Sequence, residues 1–315
     1  MNILIYFAGA VLFLLSAAIL AAYICYRIAF FAPRKEVSTP TGILLPEGKE
    51  YEPYHAQMIQ WVREARALPQ KDFWITSFDG LKLHGKYYEY EPGAPMELMF
   101  HGYRGTAERD LSGGVQRCFK LKRNVLVVDQ RTSCLSEGHV ISFGINESKD
   151  CLSWIDFINS HFGTDTRIIL TGISMGAATV MTAAGMQLPD NVIGILADCG
   201  YTSAEDIIKK TIREMKLPPD FMYPFVKLGA RLFGHFDLDE SSPIEAMKRC
   251  KKPVIFIHGE ADDFVPCEMT LRNYEACAAP KTILTVPGAG HGLAYLMDNE
   301  GYFKTLDNFA KYMGL

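Results

Sequence analysis

Hydrophobic residues are spaced in three ways along this chain, and each spacing predicts a different kind of element. From Ile3 to Tyr26 no charged residue interrupts a run dominated by Leu, Ile, Phe, Val and Ala. Coiled as a helix at 1.5 Å per residue, that run reaches ~36 Å, more than the ~30 Å hydrocarbon core of a bilayer. It predicts a transmembrane anchor over residues 1–26. A cleaved signal peptide, the alternative, would place a basic stretch before a shorter apolar core, and only Met1 and Asn2 precede this one. Residues 27–70 then read as a juxtamembrane linker and helix. Pro33, Pro40, Gly42, Pro46 and Gly48 break any regular pattern, whereas Tyr54, Met58, Trp61, Val62 and Ala65 recur at helical spacing over 51–68.

From Phe73 the period shortens. Phe73–Phe78 and Leu81–Tyr90 flank an Asp79-Gly80 turn, which predicts an antiparallel hairpin. Six short apolar runs follow: Glu97–Phe100, Val125–Val128, Ile168–Thr171, Val192–Ala197, Val254–Ile257 and Thr282–Val286. Helix-like stretches near 107–121, 147–161, 175–187, 267–278 and 299–313 lie among them. Continuous apolar strands alternating with helices predict an α/β fold with a mostly parallel, eight-stranded sheet covered on both faces. This domain is expected to span 71–315. The rhythm fails only between Cys199 and Lys252, too long for a simple crossover. Two helices, Ser203–Lys216 and Phe221–Phe233, separated by Pro218-Pro219, predict a helical cap insertion at about 200–250.

A net charge of −4 with 22% charged residues offers no basic field for nucleic acid. The eight cysteines are scattered without ligand-like spacing, which favours free thiols in a reducing compartment over a disulfide framework. Arg27, Arg34 and Lys35 follow the apolar span and no side-chain charge precedes it. The positive-inside bias therefore places the body in the cytoplasm of a single-pass membrane protein, with a periplasmic or extracellular body as the alternative.

The chemistry gathers at strand ends. Gly172-Ile173-Ser174-Met175-Gly176 lies between a strand and a helix, the setting in which small neighbours let a serine sit on a sharp turn as a nucleophile. A serine hydroxyl needs a base, and the base an orienting acid. His291 follows the last strand in Gly290-His291-Gly292, and the strand before it ends in His258-Gly259-Glu260-Ala261-Asp262-Asp263. Ser174, Asp262 and His291 are the expected catalytic residues, with Asp263 and Asp198 as rival acids. The expected oxyanion hole is the backbone N–H of Met175 with that of Tyr103, in His101-Gly102-Tyr103-Arg104-Gly105. His101 is expected to orient that loop, and Arg104 to be solvated or to meet a substrate carboxylate. Such a site requires no metal and no organic cofactor.

Together these residues resemble the α/β-hydrolase superfamily, in particular bacterial, membrane-anchored hydrolases of the serine-aminopeptidase-like and prolyl-oligopeptidase-like group. The resemblance runs from about Phe73 to the C-terminus and takes in Asp129-Gln130-Arg131 and Val265-Pro266 as well as the motifs above. It implies the α/β-hydrolase fold and acyl transfer through a Ser-His-Asp triad. One departure is Ser133-Cys134, where the group usually has His and Gly; this puts the shape of that loop in question.

The cap is rich in Phe221, Met222, Tyr223, Phe225, Phe233 and Phe236. Taken as part of the site, it favours an apolar acyl or aromatic group over a charged one. The expected activity is carboxylic-ester hydrolysis. The partners expected are a small-molecule ester or amide substrate and a membrane, through the N-terminal helix. A peptidase, thioesterase or acyltransferase is the alternative on the same triad, and a non-catalytic receptor or scaffold is the alternative of another class.

Overall fold

A computed structural model describes residues 2–33 and 42–315. Arg34, Lys35 and Pro40, which enter the orientation and linker expectations, lie outside the described residues. The chain opens with α1 (Asn2–Ala29) and, after a short 3-10 turn, α2 (His55–Ala67). The hairpin β1 (Lys71–Thr76) and β2 (Lys82–Tyr88) leads to β3 (Met96–Phe100), α3 (Ala107–Lys120), β4 (Asn124–Val128) and α4 (Ile145–Phe162). Next come β5 (Ile168–Ile173), α5 (Met175–Ala184), β6 (Val192–Asp198), α6 (Ala204–Glu214), α7 (Pro219–Gly229) and α8 (Pro243–Met247). The chain closes with β7 (Val254–Gly259), α9 (Cys267–Ala276), β8 (Lys281–Val286), α10 (Ala294–Met297) and α11 (Asn299–Ala310).

The eight strands form one sheet in the order β1-β2-β4-β3-β5-β6-β7-β8. β1 and β2 run antiparallel, as does β2 against β4, and every later pairing is parallel. Helices cover both faces, which is why β3, β4 and β7 are buried along their whole length. Trp154, Ile155 and Ile158 of α4 pack with the α5 alanines on one face; Leu111, Val115 and Cys118 of α3 and Leu306 and Phe309 of α11 cover the other. The one charge inside β3, Glu97, is paired with Arg117 and Arg123, each at 2.5 Å. Burial pushes its carboxyl up, but the two guanidiniums outweigh that and bring it down to about 2. The parallel strands bring β5, β6 and β7 to a common edge, and the residues that follow them share one rim.

Between β6 and β7 lie α6, α7 and α8. Ser203 and Ser242 start α6 and α8 by accepting the amides of Asp206 and Glu245. Pro219 opens α7 at a position where its missing N–H costs nothing. α1 is long and apolar enough to cross a membrane, and no residue of its most apolar stretch is buried. Its last turns are different. Ala22, Cys25 and Tyr26 are buried, and so is Phe30 just beyond the helix. α1 packs on α7 so closely that a Cβ added to Gly229 would lie 2.4 Å from the Ala22 carbonyl oxygen. Phe31 then bridges Val140, and Ile141 N–H donates to Phe30 O at 2.8 Å. The residues that follow the apolar span are thus tied to the body.

Candidate active site

The site is built on a bend in the main chain. Ser174, between β5 and α5, has φ 57° and ψ −119°, a region that residues with a side chain enter only under constraint. The constraint is steric. A Cβ on Gly172 would lie 2.1 Å from Gly176 O, and one on Gly176 would lie 2.1 Å from Phe100 O. Both positions therefore require glycine, and Ser174 N–H is held by Asp198 O at 2.8 Å. Gly176→Ala should push β3 and α5 apart, with a loss of about 3 kcal/mol or more. The thermal unfolding midpoint reads this directly; a midpoint within a degree or two of the parent would contradict the packing described.

The Ser174 hydroxyl lies 2.9 Å from His291 Nε2, and His291 Nδ1 lies 2.7 Å from Asp262 Oδ2. A carboxylate can only accept, so Nδ1 carries the proton and Nε2 accepts from Ser174. Asp262 is itself fixed. Its Oδ1 accepts the amides of Phe264 and Val265 at 2.9 and 2.8 Å, and its Oδ2 also faces His258 Nε2 at 3.1 Å. Burial raises the Asp262 carboxyl, but the hydrogen bonds from His258 and His291 outweigh it, and the group sits well below the usual carboxylate range. The rival acids are elsewhere. Asp263 is exposed, with its backbone carbonyl accepting from Lys210. Asp198 accepts from Tyr302 at 3.3 Å, its other oxygen has no partner among the described residues, and burial raises it to about 6.

The loop after β3 abuts the serine. A Cβ on Gly102 would stand 3.4 Å from Ser174 Cβ and 3.8 Å from its Oγ. Met175 occupies the first position of α5, where an N–H has no acceptor inside the helix. His101 Nδ1–H donates to Gly102 O at 2.8 Å and Nε2 accepts from Gln130 N–H at 3.1 Å. Burial lowers the His101 pKa and keeps the ring neutral, so both nitrogens are spent on holding this loop. Asp110 adds a bond to Gly102 N–H at 3.0 Å. At the point of departure from the resembled group, Ser133 donates to Gly105 O at 2.9 Å. Cys134 lines a separate cavity with Asp129 and Leu135. The Arg104 guanidinium donates to Ile28 O and Phe31 O at 2.9 and 3.0 Å, and Tyr103 OH donates to Ala29 O at 2.8 Å.

Two chambers meet at Ser174. One, of about 320 Å³, has a mixed lining in which Glu47, Glu50, Arg109, Asp110 and His291 stand among Met58, Ile173 and Phe264. The other, of about 360 Å³, is apolar and includes Tyr201, Ile208, Ile212, Met222, Val226 and Val265. Of the cap aromatics, Phe236 and Tyr223 are buried packing and Phe221 is exposed; Met222 faces the apolar chamber. Sequence reasoning left several contributors unassigned. His258 buttresses Asp262, Tyr51 OH donates to His291 O at 3.0 Å, and Ile24, Cys25, Ile28 and Ala29 of α1 line the apolar chamber. Cys199, Asp262 and His291 have donor atoms within 4.8 Å of one another. Two of the three already bond each other, and burial drives the Cys199 thiol well above its usual pKa. A metal could bind there only by taking the carboxylate from the imidazole.

Comparison with known proteins agrees with this architecture. The model of the prolyl oligopeptidase family matches residues 142–314. Protein YqkD of Bacillus subtilis is 29% identical over 191 residues, which is 60% of this chain and 63% of that protein. The α/β hydrolase domain-containing protein WAV2 of Arabidopsis thaliana is 28% identical over 249 residues, 75% of this chain and 76% of that protein. Among solved structures, the Pyrococcus furiosus esterase Pf2001 superposes with a TM-score of 0.67 at 20% identity, covering 89% of this chain and 97% of that one.

Proposed function

Because the chain belongs to the prolyl oligopeptidase family and has the α/β-hydrolase fold, we propose that it is a serine hydrolase acting on carboxylic esters with an apolar acyl group. One observation carries the reading: a nucleophile–base–acid line through Ser174, His291 and Asp262 that opens onto an apolar chamber.

In the proposed cycle, His291 Nε2 takes the Ser174 proton as Oγ attacks the ester carbonyl. The N–H groups of Tyr103 and Met175 stabilise the oxyanion, and each such donor contributes ~10²–10³ in rate. The C–O bond to the alcohol breaks, and His291 returns its proton to the departing oxygen. Water, deprotonated by His291, then releases the acid from Ser174. Asp262 fixes the imidazole tautomer and stabilises its charged form.

Family membership supports a second reading, a peptidase on the same residues. Activity on p-nitrophenyl butanoate to dodecanoate, set against aminoacyl-p-nitroanilides, separates the two. Ester turnover with little amidase activity is expected, and the reverse would overturn the ester assignment.

We further read α1 as a retained single-pass anchor with the body in the cytoplasm. Retention is supported by the burial of Ala22, Cys25 and Tyr26 against the body, which cleavage would undo. The cytoplasmic side is supported by the eight free cysteines and by Arg27 at the end of the span.

A further inference from the structure

We propose that α1 is a wall of the substrate site as well as an anchor, and that the substrate is a single-chain lipid ester that enters from the bilayer between α1 and the cap. The inference rests on the ester-hydrolase reading and adds to it the substrate class and the route of entry.

Three observations carry it. First, Ile24, Cys25, Ile28 and Ala29 of α1 line the same chamber as Ser174, with α6 and α7 opposite. Among the described residues no Asp, Glu, Lys, Arg or His lines that chamber, so none of them compensates a charged or strongly solvated group there. At ~30 Å³ per water-sized group its 360 Å³ holds roughly a dozen methylene-sized groups. That is room for one acyl chain.

Second, the chamber lies beside the apolar helix. The exposed part of α1 ahead of Ala22 is about twenty residues, or roughly 30 Å, the thickness of a hydrocarbon core. The body therefore begins where a bilayer would end. Met215 and Leu217, which line the chamber, are 53% and 40% exposed, and Phe221 on α7, the helix packed on α1, is 65% exposed. Met215 and Leu217 share the chamber's lining with Ile24, Cys25, Ile28 and Ala29 of α1. A chain lying in the lipid could pass into the chamber without crossing water, whereas a water-soluble acyl donor would have to strip its hydration at an apolar mouth.

Third, the chamber on the other side of Ser174 carries charged side chains and suits a headgroup of limited kind. Among the described residues, its ionisable lining is Glu47, Glu50 and Asp110 against Arg109, with the His291 imidazole beside them. Arg109 is already paired with Asp110 at 2.6 Å. An uncharged polyol or a cationic alcohol fits such a lining, and a phosphomonoester does not.

The test uses the full-length protein in phosphatidylcholine nanodiscs. A monoacylglycerol carrying a diazirine in a dodecanoyl chain is photolysed with the Ser174→Ala protein, and the adducts are mapped by mass spectrometry. Adducts within residues 24–29 and on Met215 or Met222 are expected. Ile28→Trp, which fills the chamber from the α1 side, should lower the adduct yield at least fivefold. In the Ser174-containing protein it should shift the chain-length optimum of ester hydrolysis to shorter acids, by at least tenfold in the dodecanoyl-to-butanoyl ratio of kcat/KM. Leu12→Trp, on the exposed part of α1, should alter neither. Lysophosphatidic acid of the same chain length should turn over at least tenfold more slowly than the monoacylglycerol. Adducts confined to other elements, or an Ile28→Trp protein with the parent's chain-length profile, would overturn the proposal. Adducts on α1 from a protein that hydrolyses no ester would keep the chain-binding wall and overturn the ester-hydrolase reading instead.

Discussion

Replacing Ser174 by alanine is expected to abolish labelling by a fluorophosphonate and to lower ester turnover by about 10⁴- to 10⁶-fold. The bend at residue 174 is enforced by the close approach of Gly172 to Gly176 and of Gly176 to Phe100, so the alanine protein should keep the parent's fold. Any residual rate would come from the proposed oxyanion donors, the N–H groups of Tyr103 and Met175, and from binding of the acyl group, since these do not depend on the hydroxyl. Labelling and single-turnover ester hydrolysis on the two purified proteins, with circular dichroism as the folding control, measure the difference. Parent-like labelling in the alanine protein would remove Ser174 from the chemistry.

The second large effect is expected at Asp262, and it is to be read against Asp198. Asp262→Asn should cost ~10⁴ in kcat, because an amide in that position no longer secures the Nδ1–H tautomer that leaves Nε2 free to take the serine proton. Asp198→Asn should keep activity within about threefold, since no hydrogen bond joins Asp198 to His291. Its signature lies in stability. Burial raises the Asp198 carboxyl to about 6 in the fold, above its unfolded value near ~4. The stability that this group contributes is therefore full below pH ~4 and is lost as pH rises through about 6. In Asp198→Asn that part of the pH dependence should vanish, while Asp150, also raised to about 6 by burial, continues to contribute with the same sign. Chemical denaturation between pH 4 and 7, together with kcat, resolves both residues. Full activity in Asp262→Asn with loss in Asp198→Asn would exchange their roles.

The difference between what was legible in the chain and what was not follows from range. β3 to β7 are mostly apolar runs, with Glu97 of β3 neutralised by Arg117 and Arg123, because helices cover both faces of the sheet, so they could be read directly. The Asp79-Gly80 turn marked the hairpin, and Gly80 does adopt φ 90°. α8 and α10 escaped notice because five and four residues are too few to establish a helical period. α7 begins earlier than the apolar pattern alone suggested, with Pro219 in its first turn. At the site, the nucleophile, base and acid candidates could be placed at strand ends by local signals of glycine and chain order. The support around them could not. His258 reaches Asp262 through the turn after β7, Tyr51 reaches His291 across 240 positions, and Arg104 reaches the carbonyls of Ile28 and Phe31. None of these pairings leaves a periodic trace. The apolar chamber was foreseen only as a property of the cap, because its other wall belongs to a segment whose composition had a sufficient explanation in the membrane.

The bonds from Tyr103 and Arg104 to the end of α1 bear on how the protein is prepared. Trimming the chain after residue 31 to gain solubility would delete the carbonyls of Ile28, Ala29 and Phe31, the acceptors that pin the loop beside the nucleophile. It would also leave the Gly229 face of α7 bare to water. On the proposed function, kinetic constants from such a shortened protein would describe a catalyst whose loop after β3 has lost these bonds and whose apolar chamber has lost its α1 residues, and its substrate range would not stand for that of the intact chain.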